Sequence, residues 1–279
     1  MDRTPVSRTS ADTIVLIHGL WLSSRSWERW IDHYQAAGFR VLAPAWPGMD
    51  RSVEELRADP APIAALTVRK IVDHYDRIVR ELPRPPIIMG HSFGGSITQV
   101  LIDRGLGAAG VAIDSAPVKG VVRVAPAELR SVFPVLRNPA NRHRAVPLTF
   151  RQFHYAFTNT LDEGQARPLY ERYHVPAAGH VLFEGVLANL DPHSALDVSF
   201  GNNHRPPLLL TAGTADHVVP FSVTRSNALH HRRSSALTGF RQFPGRSHFL
   251  VGEQGWAEIA DYALEWAIEA TSPHLTLSG

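Results

Sequence analysis

The chain has 279 residues, 44% of them hydrophobic, which suits one large globular domain or a core carrying an insertion. Lysine and arginine total 28 against 26 aspartate and glutamate, and no basic run resembles a nucleic-acid tract, so nucleic-acid binding is not expected. The absence of cysteine excludes disulfides, thiolate metal sites and a cysteine nucleophile.

Met1 to Thr13 is polar and lacks the apolar stretch of a signal peptide, so a short disordered N-terminus is expected, with Arg3 and Arg8 solvated. No segment is long and apolar enough to span a bilayer, so a cytoplasmic location without stable membrane insertion is expected. Thr13 to Gly19 is a β-branched apolar run ending in glycine and reads as a buried strand. Ser26 to Ala37 follows as a helix, with Ser24 or Ser26 as its cap and Gly38 as its stop. Phe39 to Ala43 is the next strand, ended by Pro44 and by Trp46-Pro47-Gly48. Val68, Ile71, Val72, Tyr75, Ile78, Val79 and Leu82 recur at helical spacing up to Pro83.

Pro86 to Met89 is a short apolar strand, and Gly95 to Ile102 reads as a helix. Ala109 to Ile113 is another strand, opening into Asp114-Ser115-Ala116-Pro117. From Val118 to Arg205 the alternation breaks. That stretch is rich in proline, arginine, histidine and aromatic residues, and Val181, Leu182, Val186, Leu187 and Leu190 suggest at least one helix. Alternation resumes with strands at Pro207 to Gly213 and Gly239 to Phe243. A C-terminal helix follows, with Trp256, Ile259, Ala260, Ala263, Trp266 and Ala267 on its buried side. The class is α/β: a mostly parallel sheet with helices on both faces, divided as core 1–117, a mainly helical cap 118–205, and core 206–279. A cap over the carboxyl edge of the sheet would lie where such sheets bind ligands.

Between the strand before it and the helix after it stands Gly90-His91-Ser92-Phe93-Gly94. A serine on such a sharp strand-to-helix turn projects its hydroxyl out of the backbone. The glycines leave room where side chains would clash. A serine hydroxyl needs a base and an orienting acid, which follow it in chain order with the acid first. Asp216, three residues after Gly213 at a strand end, is the candidate acid, and Asp114 is its rival. His248, after the last strand, is the candidate base; His91, His204 and His217 are the alternatives. The backbone N–H groups of Leu20, after His18-Gly19, and of Phe93 are candidates for an oxyanion hole. No metal site is expected: His143, His230 and His231, and the Arg232-Arg233 pair, read as solvated surface residues.

Four features, His18-Gly19, Gly90-x-Ser92-x-Gly94, Gly213-x-x-Asp216 and Gly245-x-x-His248, together resemble the α/β-hydrolase fold superfamily across nearly the whole chain. The resemblance implies a Ser-His-Asp triad, an oxyanion hole and no cofactor. Trp21 to Trp30 is similar, more weakly, to the plant methylesterase and hydroxynitrile-lyase branch. Serine at position 92 departs from haloalkane dehalogenases and epoxide hydrolases, which carry aspartate there.

The function these residues lead to is esterase chemistry on small to medium apolar esters or lactones. The substrate-pocket candidates are Trp21, Trp46, Phe153 and Phe157, each of which fits a core position as well. The same residues in relatives of the fold cleave amides, carbon–carbon bonds or cyanohydrins, or carry out perhydrolysis. A slow-turnover receptor-like binding protein is the reading from another class. Oligomeric state is not legible in the sequence.

Overall fold

The computed structural model describes residues 11–123 and 125–272; the N-terminal stretch with Arg3 and Arg8 lies outside the described residues. In chain order, β1 (Thr13–Ile17), α1 (Glu28–Ala36), β2 (Arg40–Leu42), α2 (Val53–Ala58), α3 (Ala61–Ala64) and α4 (Val68–Arg80) lead to β3 (Ile87–His91). The helix α5 (Phe93–Asp103) and the strand β4 (Ala109–Ile113) follow. Then come α6 (Pro126–Leu136), β5 (Ala145–Val146), α7 (Phe150–Phe157), α8 (Glu163–Tyr173), β6 (Ala177–Ala178) and α9 (Gly179–Val186). The chain closes with β7 (Leu208–Gly213), α10 (Phe221–His231), β8 (Thr238–Phe243) and α11 (Trp256–Thr271).

Six strands form one parallel sheet in the order β2-β1-β3-β4-β7-β8, and β5 and β6 form a separate antiparallel pair. The registers Ile14↔Ile87, Ile87↔Ala109 and Gly110↔Leu208 bring the carboxyl ends of β1, β3, β4 and β7 to one edge. Those strands are buried on both faces, which is why they read as continuous apolar runs. The helix α5 is buried along almost its whole length.

The first helix departs from expectation. Ser24–Trp27 forms a 3-10 turn capped by Ser23, whose side chain accepts from the Arg25 N–H, and α1 proper begins at Glu28. Gly38 ends it with φ of 92°. Among the described residues four α-helices lie between β4 and β7, where the sequence suggested at least one. Pro134 and Pro168 sit inside α6 and α8 and break the periodic signal. Most of the aromatic side chains of that segment pack inward, whereas Phe133 is 61% exposed.

Candidate active site

Ser92 caps β3 and precedes α5 with φ 57° and ψ −121°, a conformation L-residues avoid. Two close approaches enforce it. A Cβ on Gly90 would strike the Gly94 carbonyl and crowd Thr98, and one on Gly94 would strike the carbonyls of Ile17 and His18. The turn is therefore built from glycine because α5 is pressed onto the end of β1. Among the described residues the other non-glycine residues with positive φ are Trp21 and Asp114, and both also border this edge of the sheet.

Ser92 Oγ lies 2.9 Å from His248 Nε2, and His248 Nδ1 lies 2.6 Å from Asp216 Oδ2. Asp216 also accepts through Oδ1 from the backbone N–H groups of Val218 (2.6 Å) and Val219 (2.8 Å). Its carboxylate is thus held by three donors. Since a carboxylate only accepts, Nδ1 of His248 carries the proton and Nε2 accepts from the Ser92 hydroxyl. All three side chains are buried.

The surroundings fix the His248 loop. His91 Nε2 donates to the His248 carbonyl at 2.7 Å, and burial holds the His91 ring well below its usual pKa range. Ser247 Oγ donates to Glu253 Oε2 at 2.7 Å, and Phe157 packs edge-on against the His248 ring with centroids 5.0 Å apart. Two of the alternative bases stand elsewhere. His217 is within 2.9 Å of the Tyr155 carbonyl through Nδ1, and His204 is exposed.

His18 performs a task that the sequence did not reveal. Its Nε2 accepts from the Trp46 N–H at 3.3 Å, so Nδ1 carries the proton and donates to the Gly19 carbonyl at 3.0 Å. Burial lowers its pKa to about 4, so the ring stays neutral and keeps both bonds across the working range. This tether fixes the turn that carries Leu20. Phe93 opens α5, so its N–H belongs to the helix's first turn, whose N–H groups have no intrahelical partner.

A cavity of about 300 Å³ opens over Ser92. Its walls come from Leu20, Trp21 and Phe93 on the core side, and from α6 (Leu129, Val132 and Leu136) and α9 (Leu182 and Val186) on the other. Trp21 is in this lining; Trp46, Phe153 and Phe157 are not. Trp46 is stacked on His18 at 4.7 Å, and Phe153 lies flat on Phe157 at 4.7 Å, so all three serve as core. A second correction concerns His231, which is buried rather than solvated, with Nε2 2.9 Å from Gln99 Oε1; His143, Arg232 and Arg233 are exposed.

The residues 14–262 match the sequence model described as the alpha/beta hydrolase family. The chain belongs to the alpha/beta hydrolase family. Solved structures of this fold cover almost the whole molecule at low identity. The monoacylglycerol lipase of Paleococcus ferrophilus is 19% identical with a TM-score of 0.65, covering 94% of this chain and 96% of that one. A pyrethroid hydrolase from Sphingobium faniae is 18% identical at 0.64, covering 92% and 97%. An extracellular α/β-hydrolase from a Paenibacillus species, described as sharing structural and functional homology with tobacco salicylic acid binding protein 2, is 20% identical at 0.64, covering 91% and 98%. No match among curated proteins reaches significance. Among the described residues no helix is long and apolar enough to cross a membrane.

One carboxyl group stands in the cavity wall. Glu128, in the first turn of α6, accepts from the Ala125 N–H at 3.3 Å. Burial, with a contribution from the Asp216 charge, raises its pKa from the ordinary 4.5 to about 7. The folded protein therefore binds a proton that the unfolded chain releases at about pH 4.5. This stability contribution is complete below that pH and is lost as pH rises through about 7. Glu128→Gln keeps the acceptor and removes the charge. It is expected to raise the urea midpoint above pH 7, with the difference closing towards pH 4.5. A midpoint gain that is the same at every pH would sink this account.

Proposed function

We propose that the chain is a serine hydrolase of carboxylic esters or lactones with apolar, small to medium acyl or alcohol groups. The observation that carries it is the hydrogen-bonded line from Ser92 through His248 to Asp216 beneath an aliphatic cavity. Membership of the alpha/beta hydrolase family supports hydrolase activity in general. Lipases and hydrolases among the similar structures suit an apolar substrate.

In this reading Ser92 Oγ attacks the carbonyl carbon while His248 Nε2 takes the hydroxyl proton. Asp216 stabilises the resulting imidazolium and holds its orientation. The N–H groups of Leu20 and Phe93 receive the oxyanion. Collapse of the tetrahedral intermediate breaks the bond to the leaving alcohol, which takes the proton from His248. Water, deprotonated by His248, then attacks the acyl-Ser92 ester and releases the acid. Residues 118–205 act as the cap that walls the cavity and excludes bulk water.

A cavity of about 300 Å³ is at the small end of ligand pockets, which run from roughly 300 to 1,000 Å³. Its lining is aliphatic apart from Trp21 and Phe93, with Arg123, Glu128 and Asn189 as polar groups. A series of p-nitrophenyl esters from acetate to palmitate tests the reading. Turnover is expected to rise over the short acyl chains, as each buried methylene adds about 0.8 kcal/mol of favourable transfer, and to fall once the chain outgrows the cavity. Absence of turnover across esters and lactones alike, with Ser92 still labelled by a fluorophosphonate, would shift the reading to another bond.

A further inference from the structure

Asp114 stands at the end of β4, fully buried, with φ of 42°. Its Oδ1 accepts from the Gly213 N–H at 2.8 Å, while Oδ2 finds no donor among the surrounding groups. A buried carboxylate oxygen without a donor is costly, and the carboxyl beside it is that of Asp216. One oxygen of Asp114, one of Asp216 and one ring nitrogen of His248 all lie within 4.8 Å of one another. Two ionised carboxylates in so tight a buried space repel, whereas a proton on one of them lets it donate to the other.

The partners decide which carboxyl keeps that proton. Asp216 receives three donors, two backbone N–H groups and the His248 ring, and so has the acceptor's role. Asp114 receives one backbone N–H. Its pKa is pushed well above the carboxylate range by burial, by the Asp216 charge and by its hydrogen bond with Asp216. The charged groups around it point the same way. Glu253, in the segment before α11, adds negative charge, partly offset by Arg246 at 3.8 Å from that glutamate.

We propose that Asp114 is a positioning residue: a protonated acid whose O–H donates to Asp216 and holds the Asp216 carboxylate in line with His248. The site is then a chain of four groups, Ser92, His248, Asp216 and Asp114, in which the last is neutral. Gly213 belongs to the same device. Its N–H anchors Asp114 Oδ1, and a Cβ there would crowd Oδ2 at 3.1 Å and the Arg246 carbonyl at 2.6 Å. Asp114 acts through Asp216 and touches no substrate.

This rests on the serine hydrolase reading only for its activity arm. Asparagine at 114 reproduces the neutral form, since its carbonyl can accept from Gly213 while its amide donates to Asp216. Asp114→Asn is expected to keep the rate of fluorophosphonate labelling of Ser92, and kcat on a p-nitrophenyl ester, within about threefold of wild type at neutral pH. Asp114→Ala is expected to lose about ten- to hundredfold in both, with KM little changed, as for loss of one hydrogen bond to a charged group. A rise in pH that ionises Asp114 against Asp216 lowers the wild-type labelling rate, and the asparagine variant stays flat.

Infrared difference spectra between wild type and Asp114→Asn, at neutral pH and without substrate, should contain a protonated-carboxyl stretch that belongs to Asp114. That arm reads the proton directly and survives if the esterase reading fails. An asparagine variant as damaged as the alanine variant would overturn the proposal, because the charge on Asp114 would then matter. So would Asp216→Asn retaining activity while Asp114→Asn loses it, which would make Asp114 the acid of the triad. A difference spectrum without the protonated-carboxyl band would also overturn it.

Discussion

Ser92→Ala is expected to lower kcat for p-nitrophenyl ester hydrolysis by about four to six orders of magnitude, with KM almost unchanged and fluorophosphonate labelling abolished. The reason is that the Ser92 hydroxyl donates to His248 Nε2 at 2.9 Å, an arrangement no other hydroxyl shares among the described residues. Removing Oγ removes the proposed nucleophile and leaves the proposed oxyanion donors and the cavity in place, so binding is expected to persist while acyl transfer stops. The fold should tolerate the change. The hydroxyl makes its bond to His248 alone, and alanine meets the same backbone strain at φ 57° as serine does. Urea unfolding should therefore move by no more than about 1 kcal/mol, in either direction, since groups placed for reaction are rarely placed for stability. Residual turnover within tenfold of wild type, on protein free of contaminating esterase, would mean that another group performs the attack.

The parts of the molecule legible in its sequence share a physical cause. Buried parallel strands need unbroken apolar runs, so Thr13–Ile17, Ile87–His91, Ala109–Ile113 and Leu208–Gly213 stand out with nearly correct limits. Ser92, Asp216 and His248 could be singled out because each follows a strand and the sheet brings those strand ends to one edge; the three side chains lie in hydrogen-bonded series. The pocket was not legible in the same way. Trp46, Phe153 and Phe157 are apolar whether they line a cavity or fill a core, and no periodicity distinguishes the two. The wall of the cavity comes instead from aliphatic residues on α6 and α9, and the proline inside α6 obscures its helical pattern. The helix α10 escaped notice for a related reason. It buries Thr224, Asn227 and His231 alongside Val223 and Ala228, so its inner face is mixed and shows no continuous apolar stripe. His18 and His91 carry structural bonds that follow from three-dimensional neighbours, Trp46 and the His248 loop, which are distant in sequence.

Gly94→Ala is expected to cost about 3 kcal/mol or more of folding stability and to reduce activity beyond what the lost stability explains. The added methyl would meet the Ile17 carbonyl, and the His18 carbonyl oxygen at 2.7 Å. Neither obstacle is a flexible side chain. Ile17 ends β1, which is pinned between β2 and β3 by parallel ladders on both sides. Relief therefore requires α5 to lift from the sheet or the end of β1 to bend. Either movement alters the spacing between the Phe93 N–H at the start of α5 and the Leu20 N–H just beyond β1. A displacement that leaves the helix intact thus pulls apart the two donors proposed for the oxyanion, whose removal one at a time typically costs about a hundred- to a thousandfold. Gly201→Ala is the matched control, because a Cβ there meets nothing within 4 Å and its backbone needs no left-handed conformation. It should stay within about 0.5 kcal/mol of wild type. Urea unfolding of the two variants, with ester turnover measured well below the unfolding transition, separates the effects. A Gly94→Ala protein as stable as the Gly201→Ala control would show that α5 is not held against β1 by backbone contact. One that is destabilised yet fully active would show that the donor spacing at this turn does not govern the reaction.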